Sequence, residues 1–408
     1  MAENKLLSLN VAEILWILAL GLKPLYITGS GGIQPSDMLY ILMFGMLFIG
    51  TPSLNTTDRT KQWLFFFYCT ILYQFIIQIV WQIVTDMHAI YGNMIPTILY
   101  YVFNFFVVCA VIKLNEIVGY EKLTDDLIVG TILSCIVCLA GIAIKYEQGL
   151  RQTGFFNNPN QLGYYSVIVY TIAILFRERM NRTNRLFIVL CSWFFSIVSL
   201  SKAAILSILL MILLSTIARN SNKLSVKGFL AIAFTISMLC ILSYMVLYSD
   251  AKVVVDNQEI MSIRNRMMTT FTENDSSLGS GRGYDRIREI GSNVIFGVGE
   301  GKYQRFTTMK GYETHSTYAA LLVSYGFVGL ASYAYIILYS LRSKNKVMSH
   351  YIAFSGIIIY SVTHNGIRNT ILWTIIAMLM LWQEQNTSSE KNAALQYQYA
   401  DNQTDSIG

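Results

Sequence analysis

Residues Arg185–Arg219 read RLFIVLCSWFFSIVSLSKAAILSILLMILLSTIAR, and the way this stretch divides decides the fold. It is too long for one upright crossing of a bilayer, which takes about 20 residues, and its middle holds Ser199, Ser201 and Lys202. A lysine left at mid-bilayer costs roughly 2.5 kcal/mol or more. The chain is therefore expected to turn there, put Lys202 at a membrane surface, and cross twice, over 185–201 and 203–218.

The rest of the chain follows the same pattern. Hydrophobic residues make up 54% and charged residues only 13% of 408 positions, whereas soluble domains are about a quarter charged. Further apolar runs of crossing length occupy 9–28, 37–51, 62–84, 93–113, 124–145, 161–177, 227–248, 316–341, 350–363 and 367–382, twelve in all with the hairpin. The expected fold is an all-α polytopic membrane protein of about twelve transmembrane helices.

Lysine and arginine gather in Arg177–Arg185, Arg219–Lys227, Arg342–Lys346, Asp58–Lys61 and Lys113–Lys122, and all five segments fall on one side for twelve crossings. Basic loops mark the cytoplasm, so both termini are expected inside, with 85–92, 146–160, 249–314 and 364–366 facing outward. Lys5 precedes an apolar run without a small-residue cleavage pattern, which reads as a retained first helix. There is no 20–50-residue repeat and no pair of similar halves. One transmembrane domain over 1–382, including the extracytoplasmic loop 249–314, and a polar, disordered cytoplasmic tail over 383–408 describe the chain.

All six cysteines lie in apolar runs, so the CxxC of Cys135 and Cys138 reads as packing. No pair of carboxylates with metal-ligand spacing occurs in the outward segments, and Asp125-Asp126 suits an inner helix start, so neither metal nor cofactor is expected.

Polar chemistry collects in Asp250–Leu341 and just upstream of the hairpin. In LRQTGFFNNPNQLGYY, Asn158 can cap a helix, Pro159 suits its first position and Gln161 has capping-box spacing. That exposes a helix N-terminus at Asn160, a favourable place for an anion. In the large loop, Ile260, Ile263, Met267 and Phe271, then Tyr284, Ile287, Ile290 and Val294, recur at helical spacing and predict two short surface helices. Arg282 and Arg286 stand four apart, opposite the second apolar stripe. The GxGxG string at Gly297, Gly299 and Gly301 lacks the strand and helix of a dinucleotide fingerprint and reads as a flexible loop. His88 and His350 read as bystanders, whereas His315 and His364 fall at outer helix ends. Arg151, Lys202 and Arg282 are cations on the side where idle positive charge is disfavoured. With His315 they suggest a site for a multiply charged anion.

GFFNNPNQLG before a helix, SLSKAAILS at a hairpin, SGRGYDRI then GVGEG, and finally THSTYAALLVSYGFVGL resemble, in that order, the O-antigen ligase and polymerase superfamily, the Wzy-type polymerases and lipid A-core ligases. The resemblance covers about Arg151 to Trp382. It implies a GT-C-like, metal-independent glycosyltransferase acting on undecaprenyl-diphosphate-linked glycans in the bacterial cytoplasmic (inner) membrane, with its active site outside. Carried over, the family histidine falls on His315 and the loop arginine on Arg282. The hairpin base, commonly arginine, is Lys202 here, which keeps the charge and loses the planar fork. The residue after the histidine, often asparagine, is Ser316.

The expected reaction joins lipid-linked repeats into O-antigen, capsule or exopolysaccharide. Arg282, Lys202, Arg151 and the helix terminus near Asn160 would hold the diphosphate, and His315, with a reference pKa near neutrality, would take or orient the acceptor proton. Arg286, His364 and Tyr318 would support them, and Tyr284, Tyr303 and Tyr318 would stack on sugars. The expected partners are the lipid-linked donor and acceptor, the bilayer, a chain-length regulator and a flippase, with no nucleic acid. The alternative is a ligase passing the glycan to lipid A core or another acceptor. A lipid-linked glycan transporter, the reading from another class, predicts midplane ionisable groups and broken helices in related halves.

Overall fold

A computed structural model describes residues 2–29, 32–49, 52–84, 95–147, 151–219, 283–300, 314–342 and 348–386. Its helices are α1 (Ala2–Gly21), α2 (Pro35–Ile49), α3 (Asp58–Val84), α4 (Ile95–Val118), α5 (Tyr120–Ile144), α6 (Pro159–Leu175), α7 (Arg182–Val198), α8 (Lys202–Arg219), the short α9 (Asp285–Glu289), α10 (Thr317–Leu341), α11 (Met348–Ser361) and α12 over 370–386. A 3₁₀ turn spans Gly291–Val294. Each apolar run except 227–248, which lies outside the described residues, coincides with one of these helices. The helix that ends the described chain runs to 386, beyond the apolar run that ends at 382.

The secondary structure among the described residues is all-helical, and the protein is a multi-pass membrane protein. α3, α4, α5 and α10 are each long and apolar enough to cross a bilayer. α6 and α7 have 17 residues each, about 26 Å of helix. The hairpin divides as its lysine requires: α7 stops at Val198 and α8 starts at Lys202, whose side chain is exposed.

Close helix packing accounts for the interior, because lipid is as apolar as leucine and association rests on shape and small residues. α1 lies against α2 and α5, α6 against α7 and α11, α8 against α11, and α3 against α10. A Cβ at Gly130 of α5 would come within 2.7 Å of the Leu20 Cβ of α1, so glycine sets that approach. Aromatic rings fill the centre, with Phe67 of α3 stacked on Trp373 at 4.5 Å.

The connections sort into two ends. Arg59 donates to the carbonyls of Tyr339 and Arg342, and Lys113 to that of Ser53 at 2.7 Å. Glu384 accepts from the Thr56 hydroxyl at 2.8 Å, and Arg179 pairs with Asp125 at 2.7 Å and Glu121 at 3.2 Å. These contacts gather three of the five basic segments and Arg342, the first residue of a fourth, at one end of the bundle; residues 343–346 and 220–227 lie outside the described residues. The N-termini of α6, α8 and α10 lie at the other end. Asn157 and Asn181, exposed at opposite ends of α6, should therefore, as single Asn157→Cys and Asn181→Cys variants, react with a membrane-impermeant maleimide from opposite faces of sealed vesicles. Labelling of both from the same face would contradict the paired crossings.

Candidate active site

The first group of polar residues forms where α6 begins beside the α7–α8 turn. Asn158 caps α6, its side chain accepting from the Gln161 amide at 2.9 Å. The Gln161 side chain accepts in return from the Asn157 amide at 3.1 Å, one residue earlier than the usual capping box. Arg151 donates through Nε to the Ser199 carbonyl at 2.8 Å and through Nη2 to Asn160 Oδ1 at 2.9 Å, tying α6 to the turn. The turn itself carries Leu200 at φ +48°, a left-handed conformation that costs a non-glycine residue about 1–2 kcal/mol. That strain is held beside Lys202, the first residue of α8.

Tyr360 of α11 joins this group to the histidines. Its hydroxyl donates to the Asn160 carbonyl at 2.8 Å and lies 3.3 Å from Ser201 Oγ. The His364 ring packs against Tyr164 at 5.2 Å and Tyr360 at 5.4 Å. The His364 carbonyl accepts from the Thr317 hydroxyl at 2.9 Å, and that hydroxyl accepts from the Gly366 amide at 3.0 Å. His315, exposed, stands just before the Ser316 cap of α10. The elements carrying Arg151, Asn160, Lys202, His364 and His315 therefore meet at one end of the bundle, with the positive ends of three helix dipoles.

Residues 283–286 also reach this place. Gly283 has φ +84°, and a Cβ there would lie 2.7 Å from Thr314 Cγ2, so residue 283 packs directly against the neighbour of His315. Arg282 lies outside the described residues, as do Tyr303 and the first predicted loop helix. Arg286 is 5% exposed and donates to Thr314 Oγ1 at 2.9 Å. The helical spacing suggests an outward face for it; the structure buries it against the residue before His315. Tyr284 and Tyr318 use their hydroxyls as braces, donating to the carbonyls of Val362 and Ile358, each at 2.9 Å.

Gly297 and Gly299 of the glycine string lie in a docked segment and not in a flexible loop, while Gly301 lies outside the described residues. α10 is interrupted at Gly326 (φ +64°, ψ −166°), and residues 295–299 lie against the break. Val298 and Gly299 donate their amides to the carbonyls of Val323 and Ser324 at 2.9 and 2.8 Å, and Val328 donates to that of Ile295 at 3.2 Å. Trp81 and Tyr73 of α3 donate to the carbonyls of Gly297 and Phe296 at 2.9 and 2.8 Å. Glu300 follows, 4% exposed. It pairs with Arg368, accepts from the Tyr101 hydroxyl at 2.8 Å, and exchanges two 2.8 Å bonds with Gln78 through its own amide and carbonyl.

A family model described as Wzy_C, O-antigen ligase, matches residues 186–334. The chain carries a Wzy_C O-antigen ligase domain. No curated protein matches it. A domain of this kind implies O-antigen ligase or polymerase type glycan transfer, hence a glycosyltransferase-type enzyme. The ligase domain runs from α7 into α10 and contains Lys202, Arg282, Arg286, Glu300 and His315. Arg151, Asn160, His364 and Arg368 come from outside the matched residues and complete the same end.

Two residues at this end of the bundle escape sequence reading. Arg368 falls inside the apolar run 367–382, although its position at an outward helix start carries the same signal as Arg151. Glu300 is the acid within the glycine string, and nothing local marks it as buried. Breaking a buried pair by removing one partner costs about 3–5 kcal/mol.

Gly283 and Gly291 separate backbone strain from contact. Both have positive φ, +84° and +56°, but a Cβ at Gly291 meets nothing within 4 Å. Gly291→Ala should lose about 1 kcal/mol of stability and keep its activity. Gly283→Ala should lose glycan transfer at least tenfold, read in a purified assay beside thermal unfolding. Equal activities would mean that the 283–314 contact does not shape the site.

Proposed function

We propose that the protein is a polymerase that joins undecaprenyl-diphosphate-linked oligosaccharide repeats on the extracytoplasmic face of the bacterial inner membrane. The observation that carries this reading is the meeting of Arg151, Lys202 and the N-termini of α6 and α8 with the His315 end of α10, opposite the basic end of the bundle, in a chain with an O-antigen ligase domain. Basic segments face the cytoplasm, which sets both termini inside and this end outside. A GT-C-like arrangement of the described helices fits the same orientation, and the run 227–248 lies outside the described residues.

In this reading the bond between the donor's anomeric carbon and its diphosphate oxygen breaks, and a hydroxyl of the incoming repeat forms the new glycosidic bond. The bonding pair leaves with the diphosphate. Lys202, Arg282, Arg151 and the helix termini stabilise the charge that develops there, without a metal; donors fixed in place before the reaction commonly supply most of the rate enhancement in such a step. His315 takes the hydroxyl proton. Arg286 fixes Thr314, and thereby the start of α10, so it acts on His315 by position. A flippase would supply the lipid-linked repeats and a chain-length regulator would set when growth stops.

The matched family's description favours a second reading, a ligase that passes the finished glycan to lipid A core or another acceptor. Donor chemistry is shared, and the products separate the two. Loss of a polymerase leaves single repeats on the acceptor; loss of a ligase leaves long chains on the lipid carrier. A transporter is the weaker third reading. α10 is broken as some transporter helices are, but the freed backbone groups are taken by residues 295–299.

Positioned general bases contribute about 10²–10⁴-fold. His315→Ala should therefore slow chain formation from purified lipid-linked repeats by at least 100-fold while the protein stays folded. Unaltered chain growth would remove His315 from the mechanism, and lipid translocation without bond formation would favour transport.

A further inference from the structure

The loop over 362–369 crosses the polar end of the bundle and has two different sides. On one side His364 packs among Tyr164 and Tyr360, and Tyr360 bonds Asn160, which Arg151 also holds. On the other, Arg368 pairs with Glu300, lies over the Tyr100 ring at 5.7 Å, and has its carbonyl held by Asn104 Nδ2 at 3.1 Å. The Arg368 side chain keeps 27% exposure while that of Glu300 keeps 5%, so the carboxylate serves as the buried anchor and the guanidinium as the accessible face. Nearby, the buried Lys23 is also neutralised, by Asp37 at 2.9 Å, and donates to the Thr370 hydroxyl at 3.1 Å.

We propose that Arg368, aimed by Glu300 and backed by Tyr100, contacts the sugar of the acceptor on the side of His315 away from the diphosphate-binding cations. The proposal rests on the glycan-transfer reading and extends it. Three observations favour a neutral saccharide here. First, the arginine's charge is cancelled by Glu300, so this side does not compete for a diphosphate as Lys202 and Arg151 would. Second, a planar donor fork beside an aromatic ring matches a sugar, which offers hydroxyls at its rim and a C–H face to stack. Third, a buried ion pair is a poor way to gain stability, since hydrophobic residues of similar volume hold a loop as well or better; its presence next to the site argues for use of the guanidinium.

Reach is consistent with that role. Gly366 donates to Thr317 at 3.0 Å. Arg368 lies two residues beyond Gly366 and His315 two residues before Thr317, each at most about 7.6 Å of chain from that hydrogen bond. An oligosaccharide bound at Arg368 can therefore present a hydroxyl to His315. Glu300 is a positioning residue and Arg368 a substrate contact.

The test uses the full-length protein in nanodiscs, with the lipid-free repeat oligosaccharide released by mild acid from lipid-linked repeats as the probe. Arg368→Lys keeps the charge and removes the fork, so folding is retained more readily than in Arg368→Ala. It should weaken oligosaccharide binding at least tenfold by calorimetry and raise the KM for acceptor repeats similarly, with kcat and the donor KM within about threefold of wild type. Glu300→Gln should move the same two quantities, whereas Lys202→Gln should leave oligosaccharide binding unchanged. Wild-type oligosaccharide affinity in Arg368→Lys would overturn the proposal. So would a fall in thermal stability and kcat with acceptor KM unaltered, which would make the pair a brace. The binding measurement needs no turnover, so it decides the role of Arg368 even if His315→Ala shows that the transfer reading fails.

Discussion

No water is available in the hydrocarbon of a bilayer, so each amide and carbonyl that crosses it has to be answered by the protein. α10 breaks this rule locally and then repairs it. At Gly326 the backbone turns to φ +64°, ψ −166°, and the helical ladder stops. The carbonyls of Val323 and Ser324 and the amide of Val328 are taken up by Val298, Gly299 and Ile295. Glycines on both sides make this possible: a Cβ at Gly326 would lie 2.2 Å from the Ile295 oxygen, and one at Gly297 would lie 2.4 Å from the Ser324 carbonyl carbon. Residues 295–299 are thereby packed into the helical bundle and complete a helix that would otherwise lack these hydrogen bonds.

That docking organises the rest of the polar end. Residues 295–300 rest on α3 and α10, with Glu300 reaching α4 through Tyr101 and the 362–369 loop through Arg368. The other described portion of the loop, Gly283 to Arg286, is fastened at Thr314 and Val362. Both attachments involve α10 or the residues just before it. The start of that helix, with His315 and the Ser316 cap, therefore sits between two anchored pieces of the loop, and a displacement of the loop would be felt first at His315.

Charge at the two ends follows different logic. At the basic end, cations are paired at the surface, as with Arg179 and its two carboxylates, and contribute little beyond orientation. At the polar end, Arg151 donates to a carbonyl and an amide oxygen, Lys202 is exposed, and the adjoining helix termini add positive potential. The polar end thus carries two kinds of cation, Arg151 and Lys202 beside the helix termini and Arg368 neutralised by Glu300.

Much of this was legible from residue order. Runs near 20 apolar residues and the position of Lys202 determined the crossings and the hairpin, because bilayer thickness and the cost of a buried ammonium act on each segment separately. Basic loops determined which ends lie together, and Asn158, Pro159 and Gln161 determined the start of α6. Tertiary structure alone decided that Arg286 turns inward to Thr314, that Gly297 and Gly299 dock into a broken helix, and that Glu300 finds Arg368, 68 residues along the chain. Each of these depends on a partner supplied by a distant segment. Hydropathy and spacing report only a residue's own neighbourhood, so an ion pair or a completed backbone ladder becomes visible only when the helices have packed.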